Sequence, residues 1–199
     1  MINKPSKRET KREKLLDQGV NLLMNQGYHA TGINEIVNAV HVPKGSFYSY
    51  FDSKENFAAQ TISHYIEPFI ELLTNHLQHP QVDPLTALKN YYAELIARLE
   101  KNGFNGGCLL GNLMGEIGGT SELCNQAIKS AVERYKLLQY NALLQAQKEG
   151  TVRADRSAET MANLLVNNWQ GALLRMKIER SVQPLKEFRD TLLNDYFVA

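Results

Sequence analysis

The stretch 31-TGINEIVNAVHVPKGSFYSYFDSKENF-57 decides the fold. Ile33, Ile36, Val37 and Val40 recur at helical spacing, so residues 33–40 read as a short amphipathic helix with Thr31 as its cap. His41 follows where the chain must reverse, and His accepts a left-handed backbone better than most residues. Pro43 suits the opening of a second short helix. That helix carries the small and polar side chains Lys44, Gly45, Ser46 and Ser49, while Phe47 and Phe51, four apart, anchor its opposite side. Upstream, residues 8–26 place Leu15, Leu16, Val20 and Leu23 on one stripe until Gly27 stops the run. A longer helix followed by two short ones across a tight turn is a helix-turn-helix unit, whose second helix enters the major groove of DNA. Tyr48, Tyr50 and Lys54 then fall where phosphate contacts are expected, and Thr31 stands at a helix N-terminus, which favours an anion. Tyr50 serves packing equally well.

The charge distribution agrees with a local DNA contact and excludes a bulk one. The 199 residues carry 22 Lys+Arg and 21 Asp+Glu, net +1. Residues 1–14 nevertheless hold Lys4, Lys7, Arg8, Lys11, Arg12 and Lys14 against Glu9 and Glu13, net +4, which leaves −3 for the rest. Such a basic edge can follow the DNA backbone or enter the minor groove. The first residues have no apolar run and no stretch is long enough to span a bilayer, so the expected location is cytoplasmic, with no membrane partner. The two cysteines, Cys108 and Cys124, form no CxxC pair, which fits a reducing compartment.

Helical periodicity continues to the C-terminus. Ser53 caps a long helix kinked at Pro68, and Asp83-Pro84 opens a helix over 85–100. A short helix is expected at 109–117, and three more open at Thr120, Ser157 and Pro184, reaching 148, 180 and 196. The expected class is all-α, about nine helices, with a DNA-binding domain at 1–55 and a helical domain at 56–199.

Residues 103–119 hold seven of the chain's 13 glycines, a cluster that implies turns or close backbone approach. Cys108, Gly111 and Gly115 share a face if the segment is helical. A ligand pocket is expected among the fourth to eighth helices, with Tyr65, Phe69, Tyr92, Phe104, Asn168 and the lone Trp169 as candidates, each of which core packing would also explain. Leu164, Leu165, Gly171, Ala172, Leu185, Phe188, Leu192 and Tyr196 form stripes on the last two helices, wide enough for a four-helix dimer interface or an intramolecular core. His76 and His79 are the only close histidine pair and lack carboxylate companions on their helix face, so no metal is expected. There is no P-loop, HExxH, GxSxG or dinucleotide fingerprint, so neither an enzyme nor a cofactor is expected.

The segment 31–57 resembles the N-terminal signature of TetR-type bacterial regulators through Thr31, Ile36, Val42, Gly45, Tyr48, Tyr50-Phe51 and Lys54-Glu55, with Gly27-Tyr28 upstream. The usual Ala-Gly before the turn valine is Val40-His41 here. The run Val42-Pro43-Lys44-Gly45-Ser46-Phe47-Tyr48 and the later Gly107-Cys108-Leu109 are similar to a branch of repressors of N-ethylmaleimide reductase and acrylate-responsive regulators. The resemblance implies a homodimeric repressor on a palindromic operator, with sensing and dimerisation in the domain at 56–199. It implies Cys108 as an electrophile or oxidant sensor with Lys177 beside it; a reversible small-molecule inducer without a cysteine role is the alternative. Cys124, among apolar neighbours, reads as a buried thiol.

Overall fold

The computed structural model describes residues 7–104 and 107–199. Lys4 of the basic tail lies outside them. Among the described residues, nine α-helices and one π-helical segment account for the regular structure, with no strand and only an isolated bridge between Val152 and Val198. The helices are α1 (Lys7–Ala30), α2 (Ile33–Ala39), α3 (Lys44–Phe47), α4 (Lys54–Leu77), α5 (Pro84–Lys101), α6 (Leu109–Ile117), α7 (Glu122–Lys148), α8 (Ala158–Glu179) and α9 (Gln183–Phe188).

The caps follow local chemistry. Ser53 Oγ accepts from Asn56 N–H at 3.0 Å, Asp83 from Thr86 N–H at 3.0 Å, and Ser157 Oγ from Thr160 N–H at 3.1 Å. Such caps satisfy amide groups that have no helical carbonyl, worth about 1 kcal/mol each. Ser121, rather than Thr120, caps α7, through Cys124 N–H at 3.1 Å. Gly150 ends α7 with φ 75°. The last helix departs from the sequence expectation: α9 stops at Phe188, and residues 189–196 wind as a π-helix.

The chain forms two compact units, and their division differs from the boundary expected at residue 55. One comprises Met1–Glu67 with Leu109–Ala131; the other comprises Pro68–Cys108 with Val132–Ala199. Thus α6 and the start of α7 cluster with the N-terminal helices.

In the first unit, Leu15, Leu16, Ile36, Val37, Phe47, Phe51 and Phe57 form a buried core. The Phe51 and Phe57 rings meet nearly edge-on at 4.9 Å, and Phe47 lies 5.3 Å from Phe51. Aromatic contacts of this kind add about 0.5–1.5 kcal/mol beyond area burial. They fix α3, which at four residues is too short to hold itself. In the second unit the core is larger. Tyr92, Trp169 and Phe188 form a triangle with ring centroids 5.0, 5.0 and 5.3 Å apart, surrounded by Leu88, Leu143, Met161, Leu165 and Leu185.

Candidate nucleic-acid interface and sensing site

The helix-turn-helix closes through backbone bonds. His41 N–H donates to Asn38 O at 3.1 Å and Val42 N–H to Val37 O at 3.0 Å. His41 adopts φ 55°, the left-handed turn that the sequence placed there. With Phe47 and Phe51 buried beneath, Lys44, Gly45, Tyr48 and Ser49 are exposed together and Ser46 is half-buried; Tyr48 is 56% accessible. The Tyr48 ring touches the core through an edge-on contact with Phe47 at 5.5 Å and otherwise faces outward.

The other expected phosphate contacts are placed differently. Thr31 is fully buried; its hydroxyl donates to Gly27 O at 2.6 Å, and Gly32 occupies the N-cap position of α2 without a side-chain cap. Thr31 therefore has no surface to offer a phosphate. Tyr50 is half-buried against the core, with the Arg8 guanidinium 5.9 Å from its ring centre. Arg8 also donates to Ser49 O at 2.7 Å, and Arg12 donates to Gln60. Part of the basic edge thus ties α1 to the turn after α3 and to α4. Lys54 lies 4.3 Å from the centre of the Tyr28 ring. Burial lowers its ammonium pKa, and the nearby Glu116 carboxylate opposes that shift.

Sequence patterning alone does not reveal Glu116. Its two carboxylate oxygens accept from Tyr28 N–H and His29 N–H, each at 2.7 Å, just beyond the break that Gly27 makes in α1.

In the second unit, Cys108 is half-buried and its sulfur accepts a hydrogen bond from Gln170 Nε2 at 3.1 Å. Lys177, the expected neighbour, is an exposed residue of α8. Cys124, which belongs to the first unit, is fully buried, and burial raises its thiol pKa. Near Cys108 lies a tyrosine cluster. Tyr135 donates to Tyr91 at 2.9 Å, and Tyr92 donates to Gln139 Oε1 at 3.1 Å. Burial pushes all three phenol pKa values up, and a charge on Cys108 adds to the rise at Tyr91. Gln139 is fully buried, and its Nε2 has no hydrogen-bond partner.

The expected pocket residues separate. Tyr92 and Trp169 are interior, packed on Phe188. Phe69 and Phe104 are half-buried against the same core; Tyr65, also half-buried, belongs to the first unit. Asn168 faces outward and lines a groove of about 650 Å³ with Gly171, Ala172, Leu174, Phe188 and Leu192. Of the expected dimer residues, Leu165, Ala172, Leu185 and Phe188 are buried within their own chain. Leu164, Leu192 and Tyr196 are half-buried, Tyr196 beneath Arg153 at 5.0 Å, and Gly171 is exposed. The sequence reading missed the most open apolar residues beside them, Leu174 at 54% and Ile178 at 84% accessible. His76 meets a carboxylate after all: Glu94 of α5, 2.8 Å from its Nε2. Among the described residues no helix is long and apolar enough to cross a membrane.

Residues 15–61 match the family described as bacterial regulatory proteins, tetR family, and residues 84–192 match the Tetracyclin repressor-like C-terminal domain. The chain belongs to the TetR family of transcriptional regulators. This TetR-family chain is 32% identical to the HTH-type transcriptional repressor DhaR of Mycobacterium sp. (strain GP1) over 177 residues, 89% of this chain and 87% of that one. It is 30% identical to the repressor NemR of Escherichia coli K12 over 185 residues, 93% and 92% of the two chains. A crystal structure of the regulatory protein TetR from Rhodobacter sphaeroides superposes with TM-score 0.87 at 31% identity, covering 94% of this chain and 99% of that one. The family members are DNA-binding regulators rather than enzymes, so the helix-turn-helix is the working end of a transcriptional regulator.

Proposed function

We propose that the chain is a homodimeric repressor that holds a palindromic operator and leaves it when Cys108 is modified by an electrophile or oxidant. The observation that carries this reading is the pairing of an exposed Lys44–Tyr48–Ser49 face with a half-buried thiol that accepts a hydrogen bond from Gln170. The thiolate is the form that attacks electrophiles. Modification shifts the population toward a dimer whose recognition helices no longer match the half-site spacing of the operator. The relatives DhaR and NemR are repressors, and one crystal structure with TM-score 0.87 to the chain is of the reduced form of E. coli NemR.

A reversible inducer is the second reading, favoured by one observation. Gln139, fully buried beside Tyr92, leaves an amide N–H unpaired, which an acceptor oxygen of a small molecule would satisfy. The Cys108→Ser variant separates the two. On a duplex selected from random sequence by the wild-type protein, the cysteine reading expects N-ethylmaleimide to release the wild type and leave the variant bound. Release of both would assign the response elsewhere.

A further inference from the structure

Gly27 breaks α1 with φ 81° and ψ 179°, a backbone region that side-chain-bearing residues avoid. The break strips Tyr28 and His29 N–H of helical carbonyls, and such donors must be satisfied elsewhere. The Glu116 carboxylate of α6 takes both, one oxygen to each, at 2.7 Å. Hydrogen bonds to an ionised acceptor are about twice as strong as neutral ones. The fit is close: a Cβ on residue 27 would stand 2.5 Å from Glu116 Oε2. So the glycine serves both the backbone angle and the approach of the carboxylate.

The clamped segment is the origin of the DNA-reading elements. Thr31 hangs from it by two bonds, its hydroxyl on Gly27 O at 2.6 Å and its N–H on Tyr28 O at 3.2 Å. Next, α2 starts at Ile33, and the turn and α3 follow. Tyr28 is also the ring on which Lys54 rests; burial lowers the pKa of that ammonium, and the Glu116 carboxylate is near enough to oppose the shift. One carboxylate thus holds the departure point of α2 and the perch of a candidate phosphate contact.

We propose that Glu116 is a positioning residue for operator recognition: its bidentate hold on the Tyr28 and His29 amides sets the presentation of α2 and α3, so losing it costs sequence-specific affinity more than general affinity for DNA. Cations bind phosphate whatever the helix angle, whereas base-edge contacts need the helix in place. The bland alternative is a clamp that only stabilises the fold.

The test uses the full chain, a palindromic duplex selected from random sequence by the wild type, and a scrambled duplex of equal composition. Glu116→Gln preserves shape but turns one acceptor into a donor facing an N–H. It is expected to weaken the selected duplex roughly 10-fold or more, to change the scrambled duplex by no more than about twofold, and to leave the protein folded well above the assay temperature. Gly27→Ala is expected to reproduce the loss by displacing the carboxylate. The double variant is expected to bind no worse than Gly27→Ala alone, because both changes remove one contact. The proposal is overturned if Glu116→Gln leaves the selected duplex within about twofold of wild type, if both duplexes weaken equally, or if the loss tracks unfolding in a thermal melt.

Discussion

Gln170 Nε2 reaches the sulfur of Cys108 at 3.1 Å, so the α8 side chain that meets the thiol is a neutral amide. Cys124 stands in contrast, fully buried with its thiol pKa raised by burial. Limited N-ethylmaleimide at neutral pH is expected to give one adduct by intact-mass analysis, mapping to Cys108. Gln170→Leu is expected to slow that alkylation several-fold, roughly the effect of one lost hydrogen bond, while Lys177→Ala leaves the rate near wild type. Equal labelling of both cysteines would contradict the burial difference.

His41 holds φ 55° with a side chain present, a conformation that costs a non-glycine residue about 1 kcal/mol. His41→Gly is expected to raise the melting temperature by about 2–4 °C, the shift that 1 kcal/mol produces in a chain of this size. His41→Val, β-branched at the same position, is expected to lower it. Scanning calorimetry of both variants reads the sign directly.

The Tyr92 hydroxyl is the partner of Gln139 Oε1, and the Gln139 N–H is already unpaired. Tyr92→Phe therefore leaves a fully buried amide with neither end satisfied, at a cost of about 1–3 kcal/mol. The double variant Tyr92→Phe/Gln139→Met, apolar on both sides, is expected to recover most of that loss in urea melts. Additive losses would mean that the two side chains are not coupled.

Basic residues of the N-terminal unit divide by what they hold. Lys54→Ala is expected to lower the slope of log affinity against log salt by about 1, the share of one phosphate contact. Arg8 is committed to Ser49 O and the Tyr50 ring, so Arg8→Ala is expected to lower the melting temperature through lost packing. Titrations at several salt concentrations, paired with melts, separate the two roles.

Ile178 and Leu174 are the most open apolar residues near the α8–α9 groove. If the groove joins two copies, Ile178→Glu buries a charge at the contact and is expected to shift the sedimentation coefficient toward that of a monomer at micromolar concentration. An unchanged coefficient would place the interface elsewhere.

What the sequence made legible was set by local chemistry. The caps Ser53, Asp83 and Ser157 each bond an amide three residues on, so a short window contains both partners. The left-handed turn at His41 and the buried Phe47 and Phe51 are legible for the same reason. Thr31 was misread because its hydroxyl faces back to Gly27 rather than forward into α2. Gln170 and Glu116 lay beyond pattern reading, since their partners are 62 and, for Tyr28, 88 residues away. No local signal distinguishes either from an ordinary surface polar residue. The dimer stripe misled in part because Leu165 and Leu185 share its spacing yet serve their own chain's core.

The first unit is assembled from two stretches of chain, Met1–Glu67 and Leu109–Ala131. It is therefore not a cassette. A peptide cut after residue 67 would keep every residue of the helix-turn-helix and lose Glu116, Leu110 and Leu113, leaving the Tyr28 and His29 amides to water. Grafting this reading head onto another regulator requires transplanting two segments, and the second is the one that carries no recognition signature of its own.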